Sequence, residues 1–327
     1  MRYLTYLASL LTLFALSAAA QDGCEEDFPL NVVTPDAALI RGIPSSGFVV
    51  HDGHEMVVIK SVTVDSAPRR IVAVVENGKT VDSATRQIQA SVLSVMLTSA
   101  RAEDSWALLT AVGPRTALPF GTPRDTIVSA TKELISRPNG KDQHSSVLEG
   151  VLDAAKWLQP SRPGDSIILL TMGINPTNPT DREYKTVRTA LTAAGIRLFG
   201  LQLGTYYAGF YEPETGVRAG FAVSIGSAPL IISNHATIFE LANITGGFAI
   251  LEKTDDPMTT YHVTDKDLKR LDELAGQVYK AITEYYDVRL GMASKDFTVD
   301  LTDPVRQQLS RAHVQVQLIY PNATHGC

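Results

Sequence analysis

The chain is short of the residues that would commit it to a stapled, membrane-embedded or nucleic-acid-binding design. Two of its 327 residues are cysteine, Cys24 and Cys327, too few for a disulfide framework. In an oxidising compartment they would most simply pair and tie the two ends together. Two unpaired terminal thiols are the alternative that spacing leaves open. No apolar run reaches the ~20 residues of a spanning helix. The run from Leu4 to Leu16 follows Arg2 and precedes Ala18-Ala19-Ala20, which is the order of charge, core and small residues in a secretory signal peptide. Residues 1–20 are therefore expected to be removed on export to the periplasm or beyond. Gln21-Asp22-Gly23 before Cys24 lacks the Leu and small residues of a lipidation site. Basic residues number 29 against 35 acidic, for a net charge of -6. That mild acidic excess argues against nucleic acid and anionic membrane surfaces as partners. Also absent are a G-x-S-x-G elbow, a P-loop and a dinucleotide fingerprint, so neither enzymatic activity nor a cofactor is expected. His51-Asp52-Gly53-His54-Glu55 gathers zinc-type side chains, but Asp-Gly makes a tight hairpin turn where paired zinc ligands need a helix face.

What is present divides by rhythm. Residues 21–68 read as strand and turn, with Phe48 to His51 and Glu55 to Val64 flanking Asp52-Gly53. From 69 to 253 strands and helices alternate. Ile71 to Val75, Ser166 to Leu170 and Ile196 to Leu203 are short continuous apolar runs, the pattern of buried parallel strands. Between them Val81, Ala84, Ile88, Val92 and Val95 recur at helical spacing. Thr122-Pro123 with Asp125 and Thr180 with Glu183 open further helices. Ser105 to Val112 and Arg115 to Phe120 form a hairpin through Gly113-Pro114, and Phe248 to Leu251 is an edge strand. The stretch 254–291 is expected to carry a long connecting helix bearing Leu268, Leu271, Ala275, Val278, Ile282 and Tyr285. In 292–327, Phe297, Val299 and Leu301, then Val314, Val316 and Leu318, alternate as strands expected to pack with the N-terminal β unit. The predicted fold class is α/β, a mostly parallel sheet with helices on both faces, plus a small all-β domain made from both ends of the chain.

Two polar turns follow the apolar strands: Glu76-Asn77-Gly78-Lys79-Thr80 and Thr171-Met172-Gly173. In an open α/β sheet such turns lie at the carboxyl ends of strands, where ligands bind. With the Asn243-Ile244-Thr245-Gly246-Gly247 stretch, they resemble a von Willebrand factor A domain. That family holds a divalent cation with D-x-S-x-S after its first strand, a Thr at a helix start and an Asp in a T-D-G turn. The whole order, from hairpin through A-like domain to helix and closing strands, is similar to exported von Willebrand factor A-related proteins known chiefly from acidobacteria. Registered on Gly78, the first motif offers Val75, Asn77 and Lys79, the helix start offers Ser145, and Met172 stands where the Asp belongs. A second register uses Glu76, Gly78 and Thr80. Magnesium needs several hard oxygen ligands, and Val75 and Met172 supply none, so the resemblance implies the fold with a degenerate cation site. Lys79 would set an ammonium where the cation belongs.

The loop from Thr205 to Asn234 carries Tyr206, Tyr207, Phe210, Tyr211 and Phe221. It is longer than ordinary connections, and aromatic side chains serve as interface anchors. These residues join Glu76, Asn77, Lys79, Thr80, Ser145, Thr171 and Met172 as the expected face for a protein partner, with no metal. His144, beside Ser145, is the one histidine at that face. The expectation is an exported, non-enzymatic, metal-independent binding, adhesion or scaffold module. The alternatives are a cation-dependent adhesion module using Glu76, Thr80 and Ser145, and a secreted hydrolase whose residues converge without a linear motif.

Overall fold

The computed structural model describes residues 26–35, 37–78, 81, 83–111, 116–136, 147–171, 181–202, 210–213, 221–224, 238–251, 265–291 and 297–321. Cys24 and Cys327 lie outside them. The elements are β1 (Glu26–Val33), β2 (Phe48–Asp52), β3 (Glu55–Val57), β4 (Ile59–Asp65), β5 (Arg70–Val75), α1 (Ser83–Ser99), β6 (Ser105–Thr110), β7 (Ala117–Leu118), α2 (Arg124–Ser136), α3 (Val147–Trp157), β8 (Ser166–Thr171), α4 (Asp181–Ala194) and β9 (Arg197–Gln202). They continue with β10 (Phe210–Pro213), β11 (Phe221–Ser224), helical residues 238–244 (α5), β12 (Ala249–Leu251), α6 (Asp265–Thr283), β13 (Tyr285–Leu290), β14 (Phe297–Leu301), α7 (Asp303–Arg311) and β15 (Gln317–Ile319).

The apolar runs form the centre of a six-stranded sheet ordered β12-β9-β8-β5-β6-β7. Every pairing is parallel except that of β6 with β7. Because side chains alternate across a strand, each run feeds two cores. Ile71, Ala73 and Val75 face Ile88, Val92, Leu93 and Met96 of α1, with α2 and α6 behind. Val72 and Val74 face α3, α4 and α5 through Val151, Leu191 and Leu241. Burial on both faces is why these strands read as continuous apolar segments.

The remaining strands build a β-sandwich. A four-stranded antiparallel sheet, β15-β1-β13-β4, packs on a three-stranded one, β14-β2-β3. Phe28, Leu30, Val32, Tyr286, Val288 and Leu290 meet Phe48, Val50, Phe297, Val299 and Leu301 between them. Strands from both ends of the chain thus share one core, and the Asp52-Gly53 hairpin forms with His51 opposite Met56. Three details differ from the sequence reading. The run from Glu55 to Val64 divides at Val58, β3 joining one sheet and β4 the other. Tyr285 leaves the helix to open β13, which pairs with both β1 and β4. Between β14 and β15 lies α7, none of whose residues is buried and whose apolar face is only Val305 and Leu309, too short a stripe to mark it. Among the described residues no helix is long and apolar enough to cross a membrane.

The sandwich and the α/β sheet are bolted together by buried polar groups. Arg197, at the start of β9, is 1 % exposed. It donates to Asn31 Oδ1 at 3.2 Å and to the carbonyls of Ala281 and Ile282 at 3.2 and 2.9 Å. These carbonyls belong to the last turn of α6, which intrahelical bonds leave unpaired. Asp104 is the second bolt. Its carboxylate accepts from the Arg69 N–H at 2.8 Å, from Arg101 Nη2 at 2.7 Å and from the Tyr279 hydroxyl. Desolvation alone would raise this carboxyl, but the bonds from Arg101, Tyr279 and the Arg69 N–H outweigh it and hold the pKa below 3.8. A carboxyl depressed on folding adds stability above its unfolded pKa and loses it as pH falls toward the folded one. Asp104→Asn should therefore cost about 3 kcal/mol at pH 7, the scale for breaking a buried charged pair. The difference from wild type should shrink below about pH 4, as read from urea midpoints at both pH values.

Candidate functional site at the sheet switch point

Numbered within the six-stranded sheet in chain order, β5, β6, β7, β8, β9 and β12 are strands 1 to 6, so the spatial order is 3-2-1-4-5-6. This doubly wound order reverses direction between strands 1 and 4, and ligands bind at the carboxyl ends there. Strands 1 and 4 are β5 and β8. The residues that follow them are the two polar turns singled out in the sequence.

β5 ends at Val75, whose side chain lies in the core at 3 % exposure. A register that makes Val75 a ligand is therefore excluded, and Glu76 is the first side chain beyond the strand. The Glu76 N–H donates to the Leu170 carbonyl at 2.8 Å, and the Val75 carbonyl accepts from the Ala111 N–H at 2.8 Å. These bonds continue the ladder on both sides and fix the turn against its neighbours. Glu76 is 1 % exposed and Thr171 fully buried. The Thr171 hydroxyl donates to the Glu76 carboxylate in a short hydrogen bond. Two of the expected site residues thus meet across the switch point.

Asn77 is also fully buried, and neither atom of its side-chain amide has a hydrogen-bond partner. Gln89 on α1 is in the same condition at 1 % exposure. Leaving a buried donor or acceptor unpaired costs about 1–3 kcal/mol, so polar groups of this kind mark a place where the core is not optimised for stability alone. Gln89 was missed in the sequence, although a signal existed: Thr85 and Gln89 stand one turn apart within the inward face of α1, amid Ile88, Val92 and Leu93. Lys79, Thr80, Ser145, Met172, Tyr206 and Tyr207, and also His144, lie outside the described residues. Phe210 and Tyr211 belong to β10, which pairs with β11 in a two-stranded antiparallel ribbon, Tyr211 opposite Val223. The long segment read as lacking periodicity thus carries a hairpin.

The described part of this donor set is poor for a divalent cation. Glu76 brings one carboxylate, and one of its oxygens already accepts from Thr171. Gly78 has no side-chain oxygen and Met172 offers only a thioether, which hard cations do not favour. The pair is better described as a buried carboxylate satisfied by a hydroxyl. Thr171→Val should lower stability by about 1–3 kcal/mol by removing a buried hydrogen bond from that carboxylate, while Thr171→Ser should retain most of it. Urea denaturation of the two variants tests the bond.

No family model and no curated protein matches the chain. Solved structures do resemble it. An aerotolerance-related membrane protein from Bacteroides fragilis is 18 % identical over 64 % of this chain and 100 % of its own, with a TM-score of 0.41. A von Willebrand factor type A protein from Catenulispora acidiphila is 12 % identical over 80 % of this chain and 51 % of its own, at 0.42. Proximal thread matrix protein 1 from the mussel byssus is 14 % identical over 71 % of this chain and 50 % of its own, at 0.44. The fold assignment rests on the strand order itself: a doubly wound sheet of von Willebrand A-like, Rossmann-like kind, joined to a β-sandwich built from both ends of the chain.

Proposed function

We propose that this chain is an exported, non-enzymatic protein-binding module that works through the carboxyl-end face of its central sheet without a bound cation. The observation that carries this reading is the Glu76–Thr171 bond at the switch point. It sits where doubly wound sheets bind ligands, yet the carboxylate is satisfied from within and the neighbouring position 172 is a methionine. Recognition then falls to the rest of that face: Lys79 and Thr80 in the first turn, Ser145 before α3, Met172 in the second turn, and the aromatic residues Tyr206, Tyr207, Phe210 and Tyr211, with the buried Asn77 and Thr171 supporting the turns from beneath. Lys79 supplies a fixed positive charge for an acidic group of the partner.

Export is supported by the leader-like residues 1–20. β1 and β15 run antiparallel from the Asn31–Ile319 pair. Cys24 lies seven residues back from Asn31, and Cys327 eight residues on from Ile319. Both cysteines lie outside the described residues, and two cysteines in an oxidising compartment most simply pair.

Calorimetric titration of the exported protein with Mg²⁺, Mn²⁺ and Ca²⁺ tests the cation-independent reading. No heat and no shift in melting on chelation are expected. Saturable binding at one site would overturn it in favour of a cation-dependent adhesion module. Alkylation under non-reducing conditions followed by intact mass should find no free thiol. Two modified cysteines in protein recovered from the exported fraction would defeat the pairing.

A further inference from the structure

The pole of the molecule opposite the switch point contains a cleft that the proposed function does not use. It lies between the outer face of the four-stranded sheet and the amino-terminal ends of β8 and β9, with a volume of about 280 Å³. That is just under the ~300–1,000 Å³ of ordinary small-molecule sites. Its origin is geometric. In β1, Phe28, Leu30 and Val32 point into the sandwich, so Asp27, Pro29 and Asn31 point the other way, and in β13 the same alternation turns out Tyr285, Asp287 and Arg289. Asn31 and Tyr285 pack against Arg197 at the base of the α/β sheet. One step further along each strand the two units diverge. The gap is lined by Pro29 and Asp287 on one side and by Leu191, Ile196 and Ile244 on the other.

Within this largely apolar cleft the charged groups are unequally provided for. Asp27 is held by Arg289 in a two-pronged pair at 2.9 and 3.2 Å. Asp65, on the same sheet face, accepts from the Tyr285 hydroxyl at 3.0 Å and pairs with Arg69 at 3.0 Å. Arg162 stands on the rim with an exposed side chain. Asp287 sits opposite Pro29 on one neighbouring strand and Thr63 on the other. Neither residue offers its carboxylate a side-chain N–H or a charge. Burial raises its pKa and the Asp27 and Asp65 carboxylates add to the rise, while Arg289 and Arg69, which bond to those two carboxylates, offset only part of it. A half-buried carboxylate among apolar walls, with other carboxylates nearby, gains most from a compact cation that brings its own apolar stem.

The geometry points to a binding site in this cleft for a small organic cation, a primary amine on an apolar body, with Asp287 as the anchoring carboxylate. The same chemistry is carried by a free amine and by a lysine side chain of a peptide. Pro29, Pro163, Ala194 and Pro321 take the apolar part, and the cleft's size limits it to about a single ring or a short alkyl chain.

The test uses the full mature chain, titrated calorimetrically with phenethylamine, Nα-acetyl-lysine amide and, as a matched anion, phenylacetate. Phenethylamine is expected to bind saturably, and phenylacetate is not. Binding of the lysine derivative at equal or higher affinity assigns the site to peptide side chains; weaker binding assigns it to free amines. Asp287→Asn should weaken amine binding at least tenfold. That variant should also fold with an unchanged or higher melting temperature, since the charge it removes is one that folding disfavours. Failure of both amines to bind, equal binding of phenylacetate, or an Asp287→Asn variant that folds and binds amine as tightly as wild type would each overturn the assignment.

Discussion

Two guanidinium groups over one phenol ring hold this molecule together. Arg69 and Arg197 each lie 4.5 Å from the centroid of Tyr285, and both are essentially buried. Two cations taken out of water so close together should repel and pay a desolvation cost of several kcal/mol each. The cost is visible in Arg197, whose pKa burial pushes down to about 10. What offsets it is a set of partners drawn from every layer: the ring of Tyr285 at the start of β13, Asn31 from β1, Asp65 from β4, and the end of α6. The last of these is the most economical, because a helix end presents unpaired carbonyls and the negative pole of its dipole. Arg197 satisfies both while carrying the α/β sheet onto the sandwich.

That junction explains why the chain is one body with two ends of different character. The two guanidiniums and the ring sit at element boundaries: Arg69 before β5, Arg197 opening β9, Tyr285 following α6. The cluster therefore clamps the amino-terminal edge of the parallel sheet and leaves the carboxyl-terminal edge uncommitted. Gly164, at φ +83°, belongs to the same construction, since a Cβ there would come within 2.4 Å of Arg69 and 2.9 Å of the Tyr285 hydroxyl. Rigid support on one side and polar turns on the other is the division of labour expected of a scaffold that presents loops. The price of the buried cations is local, while the register they impose extends across both sheets.

The parts of this design that were legible in the sequence are those in which one strand or helix carries its own signal. Ile71–Val75 and Ser166–Thr171 are apolar on both faces because helices cover both, and that pattern needs no knowledge of neighbours. The capped helices α2 and α4 were legible for the same reason. Tyr285 was not: it continues the helical spacing of Val278 and Ile282, and only pairing with β1 and β4 converts it to strand. Nor was α7 legible, whose Thr302-Asp303-Pro304 start is followed by only two apolar residues, Val305 and Leu309, that lean on the sandwich core without being buried. The von Willebrand A-like motif was visible, yet its register was ambiguous between Val75 and Glu76. β5 ends at Val75, whose apolar side chain belongs to the core, and Glu76 is the first side chain beyond the strand. Arg197 did leave a trace, a single charge between Ile196 and Leu198 in an otherwise apolar strand, where burial demands a partner.

The two poles also differ in how their carboxylates stand toward a positive ligand. At the switch point Glu76 already receives a hydroxyl hydrogen bond and two backbone ladders hold its neighbourhood. A cation arriving there would have to displace a bond that costs nothing further to keep, and it would find no second carboxylate within the adjacent turn. At the opposite pole Asp287 is half-buried and flanked by Asp27 and Asp65, and the Arg289 and Arg69 guanidiniums, both engaged with those neighbours, offset only part of what burial and the two carboxylates impose. The binding energy available to a ligand is the difference between the free and bound states of the group it meets. By that measure Glu76 is, under our proposal, the weaker cation ligand of the two, although it occupies the position that the fold makes most conspicuous. A carboxylate's position in the topology says where ligands can reach. Whether one gains anything by reaching it depends on what the protein has already supplied.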